Sequence, residues 1–415
     1  MRLTQEEAAM HAGELGPAVQ WAIDHQIKVG RYLGAKDFVP VNQAHIMADT
    51  ESLGVAGVEW LERLAKLPAE QRRVRIPTIT DPRGTDFAAA ARLRQQPWML
   101  DLERRAIAAL EALGVLMTDT CINYQTIMPP VRGEHCAYGD TGVVIYSNSV
   151  CGARSNFEGG PSALSAGLTG RTPRYGYHLD ERRQATTVVD VVWTPQELNE
   201  WGALGGIVGR LAGDYWRVPA LTGINRVPTS DEMKHFGAAL ASYGSVALFH
   251  MAGITPEAQR LDDIMPAGRD VDRHRIVESD IRAFVASYAV AIDKVDLVVF
   301  SAPQLSLIEM QQLADLLDGR RASIPLLAVT SPQVKPDADR MGLSERIERA
   351  GGTVLAGMCF YQSYAREMAE ANGWKALATN SAKLTNILGG YGYRPMLMSM
   401  DACVDVACAG GKVTS

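Results

Sequence analysis

Short unbroken apolar runs alternate, through the middle of the chain, with stretches whose apolar residues recur every three or four positions. Residues 244–251 (GSVALFHM), 296–303 (DLVVFSAP) and 325–332 (PLLAVTSP) are runs of the first kind, and residues 281–292 and 305–317 are of the second. Strands buried on both faces read as continuous apolar runs, and amphipathic helices show the 3.6-residue period. The alternation therefore predicts an α/β fold with mainly parallel sheets covered by helices. Residues 353–359 (TVLAGMC) form a further predicted strand that closes on a cysteine, followed by a helix over 363–371, the turn-rich 379–383 (TNSAK), a strand over 396–400 and a helix beginning near Ala402.

The first third reads as helices interrupted by short strands. Thr4 and Glu7 stand at capping-box spacing, and residues 102–113 carry a helical period. Residues 74–79 (VRIPTI), 114–121 (GVLMTDTC) and 142–148 (GVVIYSN) read as strands. The last leads into NSVCGARSNFEGGPSALSAGLTG, which is dense in glycine and small polar residues. Glycine permits close backbone approach to a ligand, so this block is a candidate binding loop; an ordinary long surface connection is the other reading. These divisions suggest three units, 1–193, 194–350 and 351–415.

At 415 residues, several cores are expected. The hydrophobic fraction of 47% and charged fraction of 21% are those of a folded globular protein. With a net charge of -6 and scattered basic residues, the chain lacks the electrostatic footprint for nucleic acid. The opening MRLTQEEAAMHAGELG lacks the basic region and apolar core of a signal peptide, and no apolar run approaches the roughly 18 residues of a membrane span. A cytoplasmic protein without membrane partners is expected, its six cysteines reduced.

Ligands of open parallel sheets bind beyond the carboxyl ends of the strands, where Cys121 and Cys359 are predicted to lie. Cys403, expected in the first turn of a helix, is a third candidate ligand. Three thiolates with one open position are what an iron-sulfur cluster acting as a Lewis acid requires; burial in a core is the other reading for each cysteine. Cys408 is assigned to packing. Arg154 suits a substrate carboxylate, since a guanidinium pairs with it bidentately; a surface ion pair is its alternative.

The ordered set of motifs resembles the aconitase X family of the aconitase superfamily. It comprises His45-Ile46, Pro77-Thr78, Thr120-Cys121 with Tyr124 and Pro130, GEH at Gly133, the NSVCGARSNFEGGPSAL block, GRTPRYGYHL from Gly170, ALFHMAGITPEA from Ala247, TNSAK from Thr379, and Cys403 with its following valine. The resemblance implies a hydro-lyase acting on a small hydroxy acid, with cis-3-hydroxy-L-proline, converted to a pyrroline carboxylate, as first expectation and mevalonate 5-phosphate as second. It also implies an iron-sulfur cluster, or mononuclear iron, on Cys121, Cys359 and Cys403.

His45, His135 and Lys383 are then the expected catalytic residues, and Asn148, Ser149, Arg154, Ser155, Asn156 and Ser381 the expected substrate-binding ones. His250 is the weaker histidine, its alternative being a hydrogen-bonded core residue. Where the family pattern has Gly-Cys-Pro-His this chain has Ser301-Ala302-Pro303-Gln304; Asp140-Thr141-Gly142 replaces Glu-Ser-Ser, and Phe157 replaces arginine. The family's catalytic serine belongs to a small domain for which this sequence has no room, so a small companion subunit is expected. Two other readings stand beside this one: a family member acting on another hydroxy acid, and a paralogue that binds a metabolite without turnover.

Overall fold

The computed structural model describes residues 1–268, 270–289 and 292–413. Within them the apolar runs become three parallel sheets. The first has strand order β3-β2-β4, from β2 (Ala44–Ile46), β3 (Thr78–Thr80) and β4 (Ala137–Tyr138); a short antiparallel ribbon of β1 (Phe38–Pro40) and β5 (Arg171–Pro173) accompanies it. The second has order β8-β7-β6-β9, from β6 (Thr187–Val191), β7 (Pro219–Thr222), β8 (His250–Met251) and β9 (Asp272–Ile276). The third has order β12-β11-β10-β13-β14, from β10 (Leu297–Leu305), β11 (Leu326–Thr330), β12 (Thr353–Ala356), β13 (Ala376–Thr379) and β14 (Arg394–Leu397).

Every residue of β10 and β11 is buried, as a sheet clothed on both faces requires. Full burial of a side chain such as Val298 or Phe300 contributes about 1.5 to 3 kcal/mol, so the longest run also seeds the largest core. The sheets divide the chain differently from the expected units. β10 and β11, assigned to 194–350, share a sheet with β12 to β14 from 351–415, while β6 leaves 1–193 for the second sheet. Parallel strands return through crossover helices, so one sheet gathers a long continuous span.

Other expectations are corrected locally. Residues 142–148 are not a strand: helix Thr141–Tyr146 runs on into a wide turn, Ser147–Cys151. Asp140 caps that helix, its carboxylate accepting the Val143 N–H at 3.0 Å. The helix is buried all round, so its β-branched residues show no amphipathic period. Residues 114–121 are irregular backbone laid along β3, held by Thr120 N–H donating to Thr80 O at 3.1 Å. The predicted helix over 281–292 is Glu278–Ala286, and Val290 and Ala291 lie outside the described residues. Strands 74–79, 244–251 and 396–400 shrink or shift to Thr78–Thr80, His250–Met251 and Arg394–Leu397.

Two packing features set the frame for the site. Helices Leu198–Ala212 and Ser230–Gly244 approach so closely that a Cβ on Gly205 would collide with the Phe236 carbonyl. Gly139 occupies the junction of β2, β4 and the glycine-rich block, where a Cβ would stand 2.9 Å from both His45 O and Met47 N. Among the described residues no helix is long and apolar enough to cross a membrane.

Candidate active site

The C-terminal edges of the first and third sheets meet, and a bridge between Arg83 and Met358 joins the segments leaving β3 and β12. Short strands end here on polar residues: β3 is followed at once by Asp81, and β4 after Gly139 by Asp140. From the third sheet come Cys359 after β12, and Asn380, Ser381 and Lys383 after β13. This is the crevice beyond strand ends where open parallel sheets place ligands.

At the centre lies a buried ion pair, Lys383 Nζ 3.4 Å from Asp140 Oδ1, with the ammonium 5.5 Å above the Tyr361 ring. Burial alone would lower the Lys383 ammonium, but Asp140, the nearby thiols and Asp81 outweigh it and raise its pKa. Burial likewise opposes ionisation of Asp140, yet Lys383, His45 and the Val143 amide hold its carboxyl below the usual range. Asp81 behaves oppositely: desolvation first, then repulsion from Asp140, pushes it well above the ordinary carboxylate range. Burial and the repulsion from Asp140 thus disfavour ionisation of Asp81, while Lys383 favours ionisation of Asp140.

His45, on β2, is fully buried. Its Nε2 lies 2.9 Å from Thr120 O and 3.6 Å from Asp81 Oδ1. A carbonyl only accepts, so Nε2 carries the proton and Nδ1 keeps its lone pair without a partner. Burial holds the imidazole below its ordinary pKa, against the pull of the Thr120 carbonyl and Asp140. Near these strand ends other buried polar atoms have no partner: Asp81 Oδ1, both amide atoms of Asn123, two residues after Cys121, and Asn380 Nδ2. Buried polar groups are ordinarily satisfied, so such a concentration marks a place built for something else to bind.

Cys121 and Cys359 border this centre. Burial raises the Cys121 thiol well above its usual value, with Cys359 and Asp81 adding repulsion. Burial pushes Cys359 up to about 12, against the pull of Lys383. The two thiols thus lie within reach of each other's charge and of the same ion pair. Cys403 is elsewhere: its helix, Met400–Cys408, packs on β10 and β13, and burial alone perturbs its thiol, which sits in the apolar core. The expected ligand trio is therefore corrected. Among the described residues no three His, Cys, Asp or Glu side chains are placed to hold a metal. A cluster on Cys121, Cys359 and Cys403 does not fit these residues.

Apart from Ser381, the expected substrate-binding residues form a second, different region. Asn148 donates to Ser155 O at 2.9 Å and Ala247 O at 2.8 Å and accepts Ser155 N–H at 2.9 Å. Ser149 Oγ accepts the Phe249 N–H, Ser155 Oγ accepts the Tyr138 N–H, and Asn156 is tied to Tyr175, Tyr177 and Tyr215. All four side chains are buried with their hydrogen bonds made inside the protein. Arg154 pairs with the exposed Asp180 at 2.5 Å and donates to His178 O at 3.2 Å. His135 joins that region, with its Nδ1 2.9 Å from His178 Nδ1. Ser381 caps helix Ala382–Leu388 and donates to Ala302 O at 2.6 Å. His250 meets Arg183 O at 2.7 Å as a core histidine.

Of the expected residues, the centre holds His45, Lys383, Cys121 and Cys359, with Ser381 capping the helix that carries Lys383. Asp81 is an addition that sequence reasoning missed, although it directly follows a strand ahead of a proline-glycine turn; Asp140 was read there only as a departure from the family pattern, with no role.

Sequence models of the aconitase X first, second and third domains match residues 1–181, 185–286 and 295–409. The chain is 35% identical to the phosphomevalonate dehydratase large subunit of Methanothermobacter thermautotrophicus, over 97% of its own length and 96% of that protein. It is 30% identical to the cis-3-hydroxy-L-proline dehydratase of Pseudomonas aeruginosa over 99% of its own length, covering 70% of that protein. The crystal structure of Thermococcus kodakaraensis aconitase X in its holo-form superposes with a TM-score of 0.88 at 30% identity, covering 98% of this chain and 100% of that one. Fold and likeness together define an α/β enzyme of the hydro-lyase class. The chain belongs to the aconitase X family.

Proposed function

We propose that this chain is the large subunit of a dehydratase that removes water from a small 3-hydroxy carboxylic acid, the proton leaving beside the carboxylate. The observation that carries this reading is the buried Lys383–Asp140 pair, with Asp81 buried against His45 and its carboxyl pushed above the ordinary range. Elimination of this kind asks for three things: a cation for the carboxylate, an acid for the departing hydroxyl, and a base for the proton. Lys383 has donors beyond its long contact to Asp140 and takes the carboxylate. Asp81 protonates the leaving oxygen. Asp140 keeps Lys383 charged in a site from which water is excluded, and His45 accepts a hydrogen bond at Nδ1. Held in place before the reaction, such groups gain strength from the low local dielectric.

The base comes from a small companion subunit, a reading supported by relatives whose names describe a large subunit. The end-to-end match to those relatives, against 70% coverage of the hydroxyproline enzyme, makes mevalonate 5-phosphate the first substrate to test and cis-3-hydroxy-L-proline the second. Both acids should be incubated with the chain alone and with its companion, and the unsaturated product quantified. Turnover of one acid only when both proteins are present is expected. Full turnover by the chain alone removes the companion from the reading, and inertness toward both acids with the companion present removes the dehydratase assignment.

A further inference from the structure

The segment Ser301–Gln304, at the end of β10, contacts the segments that carry Cys121, Cys359 and Ser381. Ser301 Oγ accepts the Phe360 N–H at 3.1 Å and lies 3.8 Å from Cys359 Sγ. Ala302 O accepts from Ser381, the cap of the Lys383 helix. Gln304 is fully buried, and its amide is divided between the two thiol-bearing segments. Its Oε1 accepts the Cys121 N–H at 3.3 Å, while Nε2 donates to Asp119 O at 3.1 Å and Met358 O at 3.2 Å. The Gln304 backbone is held in turn: buried Lys234 donates to Gln304 O at 3.1 Å and pairs with Glu309 and Asp231.

We propose that Gln304 is a positioning residue that clips the Cys121 and Cys359 segments together, so that the two thiols act as one pair beside Lys383. A primary amide suits this task because it offers an acceptor and two donors in one plane. An imidazole or carboxyl group at this position cannot present that set. The segment bears no thiol of its own, and its polar groups tie the surrounding loops together. The inference rests on the proposed function only for its catalytic consequence; the convergence of the thiols is testable without turnover.

Cadmium ion reads convergence directly: Cd²⁺ with two thiols gives a dithiolate complex and two protons, seen as a sulfur-to-metal charge-transfer band. The full chain, reduced and free of other metals, should bind one Cd²⁺ in a manner lost in both Cys121→Ser and Cys359→Ser. Gln304→Met, close in volume, should weaken that binding at least tenfold, and Gln304→Glu should weaken it less because the acceptor for Cys121 N–H remains. A purely structural Gln304 would lower the melting temperature and leave the cadmium affinity of the folded fraction unchanged, which overturns the proposal. Wild-type protein with no binding that depends on both cysteines overturns it too. If Gln304→Met does not fold, Ser301→Ala loosens the Cys359 side alone and should weaken cadmium about threefold, with no change again counting against the clip. Dehydratase assays with the companion then report separately on the proposed function: a sound clip with no turnover leaves the positioning inference standing and the dehydratase reading fallen.

Discussion

The centre between the first and third sheets and the glycine-rich block at 148–160 are both buried and polar, yet they treat their polar atoms in opposite ways. In the block, the side chains of Asn148, Ser149, Ser155 and Asn156 are closed onto backbone and side-chain partners. At the centre, Asp81 Oδ1, His45 Nδ1, Asn123 and Asn380 Nδ2 are left without partners near the ends of the strands that hold the ion pair. Leaving a buried polar group unsatisfied costs about 1 to 3 kcal/mol, so a cluster of such groups lowers stability unless something binds them. Both regions show small polar residues near strand ends in the sequence. Only the hydrogen-bond accounting separates a scaffold from a site.

The sharpest way to break the comparison is Asp140→Asn. It leaves the Lys383 ammonium buried without its anion, and should cost about 3 to 5 kcal/mol of stability by chemical denaturation together with nearly all turnover. Adding Lys383→Met should restore most of the stability and none of the activity. Substantial dehydration by the single variant would remove the ion pair from the chemistry.

How far the sequence foretold this depends on the element. β10 and β11 were legible because strands covered on both faces keep an unbroken apolar pattern whatever the surrounding topology. The helix Thr141–Tyr146 was read as a strand for the same reason: full burial erases periodicity, and the one contrary signal was Asp140 three residues before the amide it caps. Among the cysteines, burial and ligation favour the same residue, so Cys403 in the apolar core could not be told from Cys121 or Cys359 by position along a predicted element. Asp81 and the role of Asp140 were missed because a lone carboxylate after a strand of two or three residues resembles a turn or a cap, and Asp140 is in fact also a cap. Their opposite shifts arise from neighbours distant in the chain.

Asn148→Ala sharpens the comparison from the other side. It orphans Ser155 N–H and two buried carbonyls, so it should destabilise the protein by about 1 to 3 kcal/mol while the folded fraction keeps its KM. A KM raised tenfold at full folding would return Asn148 to the substrate.

Behind the centre, a belt of buried carboxyl groups tests whether its electrostatics extend outward. Gln362 links Asp81 and Asp49, with donor distances of 3.0 and 3.4 Å. Beyond them Glu103 accepts from Thr50 at 2.7 Å and from Gly84 N–H at 3.1 Å, and burial pushes it up from 4.5 to about 7. Between those pH values the folded chain binds more protons than the unfolded one, so this group's contribution to stability falls as pH rises. Glu103→Gln should therefore stabilise by about 1 to 2 kcal/mol at pH 8, an amount below the full shift because the site relaxes, and by almost nothing near pH 4. Denaturation curves at both values check it; an equal effect at the two would mean that Glu103 titrates normally.

The smallest effect falls on Arg154, and it separates the two regions most cleanly because this residue was the leading sequence candidate for a carboxylate ligand. Its guanidinium is partly exposed, pairs with the largely exposed Asp180, and is anchored on His178 O. An ion pair at such a surface contributes about 0.2 to 1 kcal/mol, since water screens it and two long side chains must be ordered to form it. A guanidinium that bound the substrate carboxylate in a closed site would instead cost about 2 to 5 kcal/mol of binding when removed, because its partner charge would be left buried and unpaired. Arg154→Ala should thus shift the denaturation midpoint slightly, more at low salt than at high, and leave KM within twofold. A KM raised thirtyfold or more would show that the glycine-rich block reaches the substrate after all, through a rearrangement that breaks the Arg154–Asp180 pair.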